Sequence, residues 1–283
     1  MSMTVTEADS WVGHQPLPVV KPRSEGTFSI WVEQSLIQCK RLLMGWMRDP
    51  STTIQTLVFP AVTLIMFRIV LGDSITRATG APSIYGTTPM VMLVAAMSGS
   101  TVSALGFKVE KATGLLGRFH TMPIHRAAGL TGRLLAEAIR VIITSLFVLV
   151  VGVALGFRFW NGFAASIAML SIPVLFAIGF AVLVTALATL TEGIMLVSIV
   201  SLVNTLLMFF NSGFVPVLAY PTWLQTTVEN QPMSTAIDAM RGLSLSGPIA
   251  TPLLKTVAWT VGMIVVFAYP AIRGYRRAAE TGA

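Results

Sequence analysis

FAASIAMLSIPVLFAIGFAVLVTALATLTEGIMLVSIVSLVNTLLMFFNSGFV, residues 163–215, holds one acidic residue and no basic one. A helix crossing a bilayer needs about 20 mostly apolar residues. This run is far too long for a single crossing. Its polar break is Thr191-Glu192-Gly193. Read as a tight turn, that tripeptide divides the run into two spans, 163–190 and 194–215. The division sets the parity of the whole chain.

Four further apolar runs stand on either side, at 52–71, 84–106, 134–157 and 253–272. The composition agrees with a membrane protein. The chain of 283 residues is 54% apolar and 11% charged, with a mean hydropathy of +0.76. Soluble domains carry roughly 25% charged residues. The expected class is all-α: a polytopic membrane protein with six transmembrane helices.

The net charge of +7 is not spread as nucleic-acid binding would need. Basic residues gather in three segments. Lys21, Arg23, Lys40, Arg41 and Arg48 precede the first span. Lys108, Lys111, Arg118, Arg126 and Arg133 fall in 107–133, and Arg273, Arg276 and Arg277 follow the last span. The connections on the other face hold one each, Arg77, Arg158 and Arg241. With six spans the three rich segments share one side. By the positive-inside rule that side is the cytoplasm, with both termini on it. Five or seven spans would split them.

The expected organisation follows. Residues 1–26 read as a disordered cytoplasmic tail without a secretory signal. Residues 27–49 read as an amphipathic interfacial helix: Phe28, Trp31, Val32, Leu36, Cys39, Leu43 and Trp46 recur at steps of three and four. Asp49-Pro50 stops it. The transmembrane domain covers 52–272, with a polar loop at 107–133 and an outer loop at 216–252. Residues 273–283 form a cytoplasmic tail. The outer loop mixes Tyr220, Trp223, Ile237 and Met240 with five prolines. It reads as re-entrant or surface helices capping the bundle, because open backbone at membrane depth must be covered.

Charges inside the spans are few. Arg68 sits one turn from the outer end of its span, where it snorkels or meets Asp73; the alternative is a functional charge. Arg133, Glu137 and Arg140 share a helix face and can compensate one another. Gly152 and Gly156 give a GxxxG, and Pro173 predicts a kink. Asn204, Asn211 and Ser212, at spacings of seven and eight, share roughly one face. They line a substrate path or bond across helices, the second being favoured.

Several chemistries are not encoded. No G-x-x-x-x-G-K-[ST] loop is present. Cys39 is the only cysteine, and His120 and His125 have no metal-ligand company. No catalytic, cofactor or metal residues are assigned. No acid lies in the middle third of a span, against a proton-coupled carrier. The separation of Asp49, Asp73 and Asp238 is against a metal-dependent lipid transferase.

Two motifs resemble a known family. The first is Glu110-x-x-x-Gly114, Arg118 and Pro123, leading to Arg133. The second is Asn211-Ser212-Gly213, Pro216, Pro221-x-Trp223-Leu224, Gln231-Pro232 and Arg241-Gly242. With GFRFWNG at 156–162 and GYRRA at 274–278, they look like the permease subunit of an ABC-2 type exporter. Among these the chain is most similar to the daunorubicin/doxorubicin-resistance permeases of actinobacteria, the mycobacterial C-type subunits in particular. The likeness covers about residues 27–280. It departs where relatives often carry a second acid, since Leu115, Leu116 and Gly117 stand there.

The resemblance implies a transport subunit and no enzyme. ATP and Mg would be held by two copies of a separate cytoplasmic ATPase, with no cofactor on this chain. A second six-span permease would complete the pore, a heterodimer being favoured over a homodimer. Membrane lipids are partners and nucleic acid is not. A short helix from Glu110 to about Thr121 would meet the ATPase, with Leu115, Leu116 and Phe119 in an apolar groove. Glu110, Lys111 and Arg118 would form its rim, Gly114 would lie within it and Pro123 would end it. Gly213, Pro216, Pro221, Trp223, Pro232 and Arg241 mark the outer loop. The implied substrate is a hydrophobic or amphipathic molecule, an anthracycline-like drug or a complex lipid such as phthiocerol dimycocerosate. A glycan exporter of the same family is the alternative, and an ion-coupled carrier a more distant one.

Overall fold

A computed structural model of the chain describes residues 28–122, 124, 125, 127–245 and 247–280. The described residues form eleven α-helices and one 3-10 turn, Val217–Ala219. The helices are α1 (Phe28–Arg48), α2 (Pro50–Val70), α3 (Gly72–Thr79), α4 (Ile84–Ala112), α5 (Leu115–Thr121) and α6 (Ala128–Ala154). They continue with α7 (Gly162–Leu190), α8 (Gly193–Phe209), α9 (Thr222–Asn230), α10 (Pro232–Leu245) and α11 (Ala250–Glu280).

Five of them, α2, α4, α6, α7 and α11, are long and apolar enough to cross a membrane. The expected 194–215 span is shorter: α8 has 17 residues and ends at Phe209. At 1.5 Å per residue it is roughly 25 Å long, slightly less than the hydrocarbon thickness. The break at Thr191–Glu192 separates α7 from α8. In the other direction α4 runs on to Ala112 and α11 to Glu280, beyond the apolar runs at 106 and 272. Apolarity marks where a helix meets lipid; it does not mark where the backbone stops being helical. Helix α3, in a segment read as a simple connection, is closed by Gly80 in the left-handed region.

Local chemistry explains the sharp α1–α2 junction. The Asp49 side chain accepts from the Ser51 N–H at 3.1 Å, and Pro50 takes the first helical position. Helix α7 continues through Pro173, as α2, α4 and α11 do through Pro60, Pro89 and Pro270. The expected GxxxG is not a packing pair. Gly152 meets Thr88 of α4, whereas Gly156 lies past the end of α6 with a positive φ.

Helix α7 is central, packing on α11, α4, α6 and α10. Helix α10 is no surface helix: Met233, Ala236, Ile237, Ala239 and Met240 are fully buried. They join Met90, Leu93, Met97, Phe176 and Met169 in one core. Outward faces are apolar instead. Ile69, Phe163, Ile194, Leu254 and Val265 are each at least 70% exposed. A surface so apolar on so many helices suits lipid and not water.

Helix α1 packs on α6 through small and polar residues, Ser35, Gln38 and Cys39, all buried. The expected apolar stripe is divided: Cys39 faces α6, while Phe28, Val32 and Leu36 are exposed. Gly132 permits the approach, since a Cβ there would stand 2.6 Å from Gln38 Cβ and 2.8 Å from the Ser35 carbonyl.

Candidate coupling site

The polar loop between the second and third apolar runs is built from three pieces. Helix α4 carries Glu110 and Lys111 on its last turn. Gly114 then adopts φ 70°, a left-handed conformation that costs a side-chain-bearing residue about 1 kcal/mol. The chain turns there and starts α5. The helix expected from Glu110 to about Thr121 therefore begins only at Leu115. Pro123 lies outside the described residues.

Glu110 does not sit on an outer rim. It pairs with Arg41 of α1 at 2.7 Å and with Arg133 of α6. Arg133 is 5% exposed; it also donates to the Ser103 carbonyl at 2.8 Å and covers the Phe107 ring. Phe107 stacks on Tyr275 of α11 at 5.3 Å. One carboxylate thus links α1, α4 and α6, and one aromatic pair extends the link to α11.

Helix α5 is anchored on the same cluster. Leu116 is 2% exposed and belongs to the core of this chain, so it is not placed to enter a partner's groove. Phe119 lies under the Arg41 guanidinium, 5.0 Å from the ring centre. Lys111 and Arg118 are exposed, and Gly114, Leu115 and Phe119 are half-buried. Beyond α5, the His125 N–H donates to Gln34 of α1 at 2.6 Å. Lys108 donates to the Thr191 carbonyl at the α7–α8 turn. Phe107 was not singled out by sequence reasoning, Arg41 was read only as a cytoplasmic charge and Tyr275 only as part of the run GYRRA. Their partners are far away in the chain, and no local spacing marks them.

Deeper in the bundle Glu137 and Arg140 pair, both buried, and Glu137 accepts from Ser100 at 2.8 Å. Arg140 rests on the bare backbone of Gly99. Arg68 lies 3.6 Å from Asp73, with both side chains open to the surroundings.

The second motif builds the opposite end of the bundle. Helix α8 stops before Asn211, so Asn204, Asn211 and Ser212 do not share a helix face. Asn211 Oδ1 instead accepts from the Gly213 N–H at 2.7 Å, and its amide donates to Leu207 and Met208 carbonyls. The Ser212 hydroxyl donates to Asp238 at 2.8 Å, and Arg241 donates to the Ser212 carbonyl at 2.8 Å. Arg241 and Asp238 pair at 3.3 Å. Burial pushes the Asp238 carboxyl above its ordinary range, opposed by Arg241 and Ser212. Gly213 carries its carbonyl against Gly86 of α4. Pro216 precedes the 3-10 turn, Pro221 precedes α9 and Pro232 opens α10. Trp223 is 77% exposed. Asn204 Oδ1 is buried with no partner among the described residues. No group of three metal-ligating side chains occurs among the described residues.

The family described as ABC-2 type transporter matches residues 33–245. A probable doxorubicin resistance ABC transporter permease protein, DrrC, of Mycobacterium tuberculosis is 41% identical over 262 residues, covering 93% of this chain and 95% of that protein. The daunorubicin resistance ABC transporter permease protein DrrB1 of Streptomyces coeruleorubidus is 26% identical, with 87% of each chain covered. A putative transport permease, ycf38, of Cyanophora paradoxa is 24% identical over 78% of this chain and 77% of its own length.

Proposed function

This chain belongs to the ABC-2 type transporter family, and we propose that it is the permease half of an ATP-driven exporter of hydrophobic or amphipathic molecules. The identity of 41% with a permease named for doxorubicin resistance supports a drug-like substrate. A complex lipid such as phthiocerol dimycocerosate fits the same apolar bundle and remains the finer alternative within this reading. Two copies of a cytoplasmic ATPase would supply ATP and Mg. A second six-span permease, a sibling chain in preference to an identical copy, would complete the pathway. Both termini and helix α5 would face the cytoplasm of a plasma-membrane protein.

One observation carries the coupling role of 113–121. Helix α5 is fixed to the bundle by Leu116 and Phe119, while Lys111 and Arg118 stay exposed beside it. A push on the exposed side would reach α4, α1 and α11 together, because Glu110, Phe107 and Tyr275 join them. Exposed charges at such a contact set register and association rate.

The test is charge reversal at the exposed positions. Lys111→Glu with Arg118→Glu, co-expressed with the ATPase and the sibling permease, is expected to lower substrate-stimulated ATP hydrolysis and transport about tenfold, with insertion and yield unchanged. Unchanged stimulation in that double variant would show that α5 is not where the ATPase engages.

A further inference from the structure

A cavity of about 360 Å³ opens between α1, the start of α2, α4 and α6. Leu43, Val102 and Leu105 give it an apolar wall. Arg133 and Arg140, 5% and 7% exposed, give it a cationic one. Asp49, Glu110 and Glu137 also border it. Two lining residues are glycines, Gly45 and Gly106, and a Cβ on either would meet nothing within 4 Å. The space is therefore kept open by missing side chains.

Three residues of this lining each carry a buried N–H with no acceptor among the described residues: Nε of Arg133, Nε of Arg140 and Nε1 of Trp46. Buried donors without acceptors are rare and costly. All three orphans are donors, so what is missing is a group rich in acceptors. Phosphate oxygens suit arginine in particular. Three carboxylates on the same lining argue against a purely anionic occupant. Asp49 carries a full negative charge, its carboxyl held below the usual range by hydrogen bonds from Thr52 and Ser51. The apolar wall reaches the outward-facing Val109, 62% exposed. An occupant with a phosphate, an ammonium and an apolar tail matches each of these surfaces.

We infer that this cavity binds the headgroup of a zwitterionic phospholipid of the phosphatidylethanolamine kind. Its phosphate oxygens accept from Arg133, Arg140 and Trp46, its ammonium turns to Asp49, and its chains leave along Leu43 and Val109. The lipid fills the gap between α1 and the bundle, beside the Glu110 pairs. The inference does not rest on the export reading, because binding is measured at equilibrium without ATP.

The full chain, purified in detergent, is titrated with phosphatidylethanolamine, with phosphatidylglycerol and with inorganic phosphate, and bound lipid is counted by native mass spectrometry. One phosphatidylethanolamine per chain is expected, held more tightly than phosphatidylglycerol. Gly106→Leu fills the space without touching a charge and should weaken binding. Glu137→Gln with Arg140→Gln removes the charges as a pair and should weaken it about tenfold. A melting temperature like that of the wild type shows that each variant is folded; one that melts early is replaced by Gly45→Leu. No retained lipid, wild-type affinity in folded Gly106→Leu, or a preference for phosphatidylglycerol overturns the proposal. Displacement of the lipid by inorganic phosphate alone assigns the site to free phosphate and also overturns it.

Discussion

Glu110 shows how one residue changes meaning between sequence and structure. In the chain it is the acid of a motif on a charged loop. In the fold it bridges Arg41 and Arg133, with 14% of its side chain exposed. Glu110→Gln should cost about 2 kcal/mol, less than for a fully buried pair because Arg41 is 36% exposed. The check is thermal unfolding in detergent, with Lys111→Gln, exposed and outside the cluster, as the control that stays at the wild-type midpoint. Equal midpoints for both variants would remove the clasp from the stability of the bundle. Asp238 makes the second residue-level case. Its carboxyl is raised above the ordinary 3.8 by burial, with Arg241, Glu229 and Lys255 facing it. A raised acid binds its proton more readily folded than unfolded, so its contribution is full below 3.8 and is lost as pH rises through the folded value. Unfolding midpoints of wild type and Asp238→Asn, followed upward from that pH, should diverge in slope. The wild type should lose stability relative to the variant. Parallel curves would show that Asp238 does not titrate in this window.

At the scale of elements, the docking of α1 on α6 depends on a missing side chain. Gly132 faces Ser35 and Gln38 at a distance no Cβ tolerates, so Gly132→Leu should lift α1. The chain contains its own reporter. Cys39 is 3% exposed, and burial pushes its thiol up, so little thiolate is present and labelling by maleimide should be slow. In Gly132→Leu the rate should rise about tenfold or more. Slow labelling in both proteins would mean that α1 stays in place. Apolar periodicity found α1 correctly as a helix, but assigned its faces by polarity. Tertiary contact reversed part of that assignment. In a bilayer the apolar side chains can face lipid while small and polar ones pack helix against helix. Helix α10 is a second case: its opening proline and polar residues resemble a surface loop, yet it is buried against α4, α7 and α11.

For the whole molecule, the exposed apolar belt on α2, α7, α8 and α11 requires a lipid environment, in keeping with a multi-pass membrane protein of this family. The chain should stay in the membrane pellet after alkaline carbonate extraction. With an even number of crossings, tags at both ends should be protected from protease in intact spheroplasts and cleaved after lysis. A tag cleaved at one end only would require an odd number, and cleavage of the N-terminal tag would also move α5, two crossings later, away from the cytoplasmic side. Such a result would also explain why α8 is the shortest of the apolar helices.

The sequence by itself determined the class, the five long apolar helices and the family, because each is written in local or additive properties. Hydropathy sums over about twenty residues, Gly114 and Asp49-Pro50 act on their own neighbours, and the two motifs stand at fixed offsets along the chain. It also determined that Arg133, Glu137 and Arg140 share a face. Only the tertiary structure decided that Glu110 and Leu116 turn inward, that Arg41 and Tyr275 join them, and that Ser212 binds α10 while Asn211 turns back on Leu207, Met208 and Gly213, in place of sharing a face with Asn204. Those outcomes depend on which helices meet and at what distance. Charge complementarity and close packing act through space between residues far apart in the chain, and a one-dimensional spacing does not contain them.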